Sequence, residues 1–117
     1  MTTENKTRNE LYDYCENIRK ELENIYNGNT KTDDGEIMTM WDYVSENALD
    51  YEYTIASTGD YLGVRVYVTL GGPNVWINTR DGEIAGAWGT DRVEVWLPSE
   101  IAAEIDEVFA EYYANMR

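Results

Sequence analysis

The turns that separate the candidate strands in the middle of the chain are too short for parallel pairing of consecutive strands. Between residues 51 and 97, apolar and polar residues tend to alternate, as they do in β-strands, and the gaps between these segments are three-residue stretches that each contain glycine. Parallel pairing needs crossover connections of about a dozen residues, so consecutive strands must pair antiparallel. The sequence therefore predicts a four- to five-stranded antiparallel meander, with candidate strands at 51–57, 61–70, 74–79, 83–88 and 92–97.

The segments on both sides of this sheet have a helical period. Five apolar residues of the N-terminal segment recur at steps of three and four: Leu11, Cys15, Ile18, Leu22 and Ile25. Thr7 and Glu10 have the spacing of a capping box, which predicts the helix start, and Gly28 predicts its end. We therefore expect a single α+β domain over 1–117, with the sheet flanked by N-terminal helices and a C-terminal helix: helix 7–27, short helix 40–48, antiparallel sheet 51–97 and helix 99–115.

The chain is strongly acidic, with 23 Asp and Glu, 9 Lys and Arg, no His and a net charge of −14. Nucleic acid and anionic membranes repel such a chain, so we expect direct binding to neither and a partner with a basic protein surface. The excess charge lies in two segments, because residues 32–64 hold eight acids without a base and residues 93–117 hold six acids with one base. No apolar run is long enough to span a bilayer and the N-terminus is polar, so a cytoplasmic location is expected.

The C-terminal helix carries the main candidate for partner binding. Four glutamates follow one another there at steps of four, three and four, and Asp106 lies near them. At a rise of about 1.5 Å per residue, five carboxylates over roughly 17 Å approach the phosphate spacing of one DNA strand, about 3.4 Å. The alternative is an ordinary solvated helix face, although surface helices usually mix both signs of charge. The predicted contacts, with a second acidic group, are Glu100, Glu104, Glu107, Glu111, Asp33, Asp34 and Glu36.

The sheet offers an alternative interface. Alternation places Val64 and Val66 on the core-facing side, together with Leu62, Val68, Leu70 and the apolar residues of the later strands. The opposite face collects Arg65, Tyr67, Trp76 and Trp96, and aromatic and arginine side chains are enriched in interface hot spots. A helix packed over this face would bury it instead, and the sequence leaves both arrangements open.

Catalytic and metal-binding functions have little support. The chain has no histidine, and its single cysteine, Cys15, falls within the apolar stripe of the first helix. A calcium loop centred on Gly35 fails, because Thr30 and Thr32 occupy the first ligand positions and Trp41 stands where a bidentate glutamate is needed. We expect no enzyme activity, no cofactor and no dedicated metal site, with weak divalent-ion binding or carboxylate-dependent catalysis as the lesser alternatives.

Three stretches resemble a group of small acidic proteins from mobile elements of gut Firmicutes, which includes candidate anti-CRISPR proteins. They are residues 67–79 (YVTLGGPNVWINT), Trp88-Gly89 with Asp91, and residues 105–112 (IDEVFAEY). The resemblance covers roughly residues 9–115 and is most distinctive from 70 to 79. The resemblance implies a phage- or plasmid-encoded protein that binds host defence machinery. It supplies no catalytic residues that could be assigned to positions of this sequence.

Charge and resemblance together predict a non-enzymatic inhibitor of a CRISPR-Cas type effector. Such effectors hold guide and target nucleic acid in a basic channel, which an acidic protein can occupy. The alternative is a protein-interaction module that uses the aromatic sheet face, with its acidity serving solubility.

Overall fold

A computed structural model describes residues 3–116, with the side chains of residues 7–116. The strands form one antiparallel sheet in the order β1-β2-β3-β4-β5, so the predicted α+β class and meander are confirmed. In chain order the elements are α1 (Thr3–Tyr26), α2 (Met40–Asn47), β1 (Asp50–Ile55), β2 (Tyr61–Thr69), β3 (Asn74–Asn78), β4 (Glu83–Trp88), β5 (Asp91–Trp96) and α3 (Ser99–Met116).

Helix α1 ends where the sequence predicts but begins earlier. The predicted start at Thr7 is wrong, because the helix is already formed at Thr3 and no glycine or proline lies between Thr3 and Thr7. The spacing of a capping box is also the spacing of neighbours on one helix face, so the pattern alone does not mark a helix start. At the other end, Gly28 has φ 75°. The Gly28 and Asn29 N–H groups donate to carbonyls of the last turn, which completes a Schellman motif.

The core lies between the three helices and one face of the sheet. All five residues of the predicted α1 stripe are buried, and they pack in one cluster with Val64, Val66 and Ile77 of the sheet and with Ile105 and Phe109 of α3. Helices α1 and α3 contact β4, β5 and β2, and α2 packs against α3 and α1. In the described part of the chain, the helical layer therefore covers one face of the sheet and leaves the other uncovered.

Strand β2 departs from the predicted alternation at two β-bulges. The pairing with β1 skips Leu62, and the pairing with β3 skips Val68. Each extra residue shifts the phase of the side chains, so Tyr61 takes the core-facing position. The prediction that Leu62 and Leu70 belong to the core is wrong, because they are 39% and 49% exposed.

Candidate functional site: an acidic groove and an open sheet face

Helix α3 turns its glutamates away from the core. Ile101, Ile105 and Phe109 are buried, at intervals of four residues. This orientation leaves Glu100, Glu107 and Glu111 exposed and Glu104 half-buried. The sequence predicts that Ile101, Ile105, Val108, Tyr112 and Met116 form the buried side of this helix. The prediction is correct at its start and wrong at its end, where Tyr112 and Met116 are 36% and 65% exposed and Phe109 occupies the inner position.

Three of these glutamates line a groove between α3, the end of α1 and the start of α2. The groove has a volume of about 650 Å³. Its carboxylates come from Glu104, Glu107 and Glu111, and no lysine or arginine lines it among the side chains of residues 7–116. The rest of its lining is mostly apolar and aromatic, with Ile25, Tyr26, Ile37, Met38, Met40, Trp41, Val108 and Tyr112. The groove thus combines an apolar floor with negative charge on one wall.

The loop between α1 and α2 carries the second acidic group. An isolated β-bridge joins Lys31 and Ile37, and the Thr32 N–H donates to the Glu36 carbonyl over 2.8 Å. This pairing folds residues 31–37 into a small hairpin-like turn, with Asp33, Asp34 and Glu36 exposed. None of the three acids lines the groove, but the next residue, Ile37, does.

Two carboxylates of the predicted acidic stripe on α3 lie apart from the groove. Glu100 is on the same side of α3 but does not line it. Asp106 accepts a hydrogen bond from the Tyr61 hydroxyl over 2.6 Å and is half-buried. Burial, followed by this bond to Asp106, raises the pKa of Tyr61. Asp106 therefore ties α3 to β2, and the acidic stripe has four carboxylates, not five.

The aromatic part of the groove is what sequence reasoning missed. The sequence makes four residues of this region available for packing: Met40, Trp41, Val44 and Leu49. Met40 and Val44 are buried, but Leu49 is 62% exposed and Trp41 is 47% exposed. Its ring lies 5.2 Å from the Tyr112 ring, centre to centre. A signal is present, because the three- and four-residue spacing of the apolar positions 40, 43 and 44 leaves Trp41 off the buried side of a short helix.

The open face of the sheet gathers the alternative site residues. Tyr67 lies opposite Trp76 in the strand register, and Arg65 and Trp96 occupy the neighbouring row of the same face. Trp96 is 69% exposed and Trp76 only 6%. The guanidinium carbons of Arg65 and Arg92 each lie 5.2 Å from the centre of the Trp76 ring. These arginines cover Trp76, so that Trp96 is the accessible tryptophan of the two.

This face carries charges of both signs. Arg92 contacts Glu94 at 3.1 Å and Glu83 at 3.8 Å. Burial, followed by the charge of Glu94, raises the pKa of Glu83. Among the described residues, the buried Trp76 Nε1–H has no hydrogen-bond acceptor. The open face is therefore a closely packed surface with one protruding indole, and it lacks the one-sided charge of the groove.

The cysteine and the acidic side chains are the candidates for nucleophilic and metal chemistry. Cys15 is buried, and burial raises the pKa of its thiol to about 11, which disfavours the nucleophilic thiolate. Within residues 7–116, no three acidic or cysteine side chains form a group able to hold a metal ion. A search of the described helices finds none with the length and apolarity that a membrane span requires.

Comparison with protein-family models, curated proteins and solved structures finds no match to this chain.

Proposed function

We propose that this protein is a non-enzymatic acidic inhibitor that binds a basic nucleic-acid channel of a CRISPR-Cas type effector and blocks nucleic-acid binding. One observation carries the proposal. Three α3 glutamates line the groove, the loop that carries Asp33, Asp34 and Glu36 reaches the same groove at Ile37, and no lysine or arginine is among the lining residues that the structure describes. A channel that binds phosphates through lysine and arginine attracts such a surface.

The geometry supports charge complementarity more than a copy of the phosphate backbone. Five carboxylates between residues 100 and 111 would be about 4.1 Å apart along the helix axis on average, at a rise of about 1.5 Å per residue. With Asp106 engaged by Tyr61, the four remaining glutamates are about 5.5 Å apart on the same count. A DNA strand carries one phosphate per about 3.4 Å of axis. The predicted match in spacing therefore fails, and the proposal depends on the sign and placement of the charge.

Competition for nucleic acid tests the proposal. Purified, guide-loaded effectors of several types are mixed with labelled target DNA, and bound DNA is followed by fluorescence anisotropy as the protein is added. We expect one effector type to lose its DNA, and we expect excess unlabelled DNA to reduce capture of the protein by that effector. Inhibition that excess DNA does not relieve would argue against a shared channel.

A matched pair of variants assigns the effect to the groove. E104Q/E107Q/E111Q removes three charges from its wall, and E10Q/D13N/E46Q removes three charges from positions that do not line it. Both variants have the same net charge. We expect the groove variant to inhibit much more weakly than the wild type, and the control variant to inhibit almost as well.

The second candidate function is protein binding through the open sheet face. It is favoured by the absence of a helical layer on this face within the described residues and by Trp96, which is 69% exposed. Trp96→Ala removes the protruding indole without opening the core. Loss of effector binding in this variant, with full binding by the E104Q/E107Q/E111Q variant, would favour the sheet face over the groove.

A further inference from the structure

We propose that the groove binds a partner segment in which an apolar side chain is flanked by lysine or arginine. This inference rests on the proposed function and specifies the chemistry of the surface that the protein contacts. A polyanion that attracts only positive charge does not need an apolar floor, and an apolar pocket does not need a carboxylate wall. The groove has both.

The apolar part of the groove is accessible. Ile37 is 60% exposed, Trp41 is 47% exposed and Tyr26 is 45% exposed, and all three line the groove. The volume of about 650 Å³ lies within the range of about 300–1,000 Å³ that is typical of binding pockets. An apolar side chain that enters it removes its own surface and that of Ile37 and Trp41 from water.

The charge of the groove selects among apolar occupants. Glu104, Glu107 and Glu111 stand along one wall, and none of the described lining residues is basic. This wall repels anionic lipid headgroups, and it repels a second copy of a chain with net charge −14. A segment with lysine or arginine next to its apolar residue satisfies both parts of the groove.

The aromatic pair adds a contact of the same kind. Trp41 and Tyr112 lie with their ring centres 5.2 Å apart, and both residues line the groove together with Glu111. An ammonium or guanidinium group placed over such a ring is attracted by the negative face of the π-system. A cation that reaches the wall glutamates can therefore also contact an aromatic ring.

Two labelled peptides separate the apolar and ionic contributions. The first is an amphipathic peptide of leucine and lysine at helical spacing. The second has the same length and charge, with every leucine replaced by serine. Fluorescence anisotropy against the full-length protein should show that the leucine–lysine peptide binds about tenfold more tightly or better, which corresponds to burial of one apolar side chain.

Variants then assign each contribution. We expect I37S/W41A to weaken binding of the leucine–lysine peptide about tenfold and binding of the serine–lysine peptide only slightly, through the lost cation–π contact with Trp41. Ile37→Ser alone provides a milder version of the same test at a position that is 60% exposed. E104Q/E107Q/E111Q should weaken the binding of both peptides, and E10Q/D13N/E46Q should weaken their binding only slightly. Circular dichroism melts establish that each variant is folded.

The outcomes distinguish this inference from the proposed function. Equal affinity for the two peptides, or no effect of I37S/W41A and Ile37→Ser, would overturn the apolar docking site. The acidic surface would still be supported in that case if E104Q/E107Q/E111Q weakened the serine–lysine peptide more than the control variant did. If the two glutamine variants bound both peptides alike, the groove carboxylates would have no special role, and the proposed function would fail with the inference.

Discussion

Gly86 determines how closely α1 approaches the sheet, and replacing it by alanine tests the packing of the whole helical layer. A Cβ built at this position lies 2.7 Å from Leu11 Cδ1, 3.0 Å from Leu11 Cγ and 3.3 Å from Cys15 Sγ. Carbon atoms in favourable contact are about 3.5–4.0 Å apart. The added methyl group therefore lacks about 1 Å of space on the Leu11 side.

The surroundings of Gly86 offer little room to relax. Leu11 is 1% exposed and Cys15 is 0% exposed, so neither side chain can move outward without shifting α1. Overpacking of a core typically costs about 1–3 kcal/mol. Replacing glycine by alanine in a strand also stabilises the protein by about 0.5–1 kcal/mol, because alanine lowers the conformational entropy of the unfolded chain. The expected net loss of unfolding free energy is on the order of 1 kcal/mol, with an upper value of about 2.5 kcal/mol.

Urea denaturation of the Gly86→Ala variant measures this loss, with Gly72→Ala as the matched control. A Cβ added at Gly72 would meet no described atom within 4 Å beyond its chain neighbours, and the backbone there is outside the left-handed region, so this replacement should leave stability unchanged or slightly higher. Leu11→Ala should cost about 2–5 kcal/mol in the wild type and less in the Gly86→Ala background, where it relieves the clash. The close packing would be refuted if Gly86→Ala changed the unfolding free energy no more than Gly72→Ala does. It would also be refuted if the losses of Gly86→Ala and Leu11→Ala were strictly additive in the double variant.

Three further predictions concern the buried residues Val66 and Cys15 and the hydrogen bond of Tyr61. Val66→Asp should unfold the protein or nearly so, because Val66 is 1% exposed and an unpaired buried charge costs several kcal/mol; a melt close to that of the wild type would contradict the assigned face. Tyr61→Phe should cost about 1–3 kcal/mol by removing the 2.6 Å bond to Asp106. Since the pKa of Tyr61 is raised above its ordinary value of 10.0, only the unfolded chain ionises there as the pH rises past that value, so stability should fall at alkaline pH, and less steeply in Tyr61→Phe. Cys15, with its pKa raised to about 11, should react with a thiol reagent at pH 8 far more slowly in the native protein than in denaturant; equal rates would show an accessible thiol.

Local patterns are sufficient to predict the sheet and most of the helices. The short glycine-containing turns restrict the strands to antiparallel pairing, and the α1 stripe is buried at every predicted position. The β-bulges at Leu62 and Val68 cannot be predicted in the same way. A bulge depends on how two strands pair, whereas alternation within one strand carries no information on its partner.

The groove illustrates the same limit for the candidate site. Its acidic residues can be selected from the sequence because glutamates at steps of four and three must share one side of a helix. Its apolar residues come from the end of α1, the loop before α2 and the middle of α3, which are brought together only by tertiary packing. The role of Asp106 is likewise hidden from the sequence, because its partner Tyr61 is 45 residues away in the chain.

The salt dependence of effector binding tests the central claim most directly. For the effector identified by DNA competition, the dissociation constant is measured over a range of NaCl concentrations for the wild type, E104Q/E107Q/E111Q and E10Q/D13N/E46Q. If the groove carboxylates contact a basic channel, the wild type and the control variant should lose affinity steeply as salt rises, because ionic contacts are screened. The groove variant should bind more weakly at low salt and show a flatter slope. Equal slopes for the two glutamine variants would contradict the account, because binding would then depend on total charge and not on the groove.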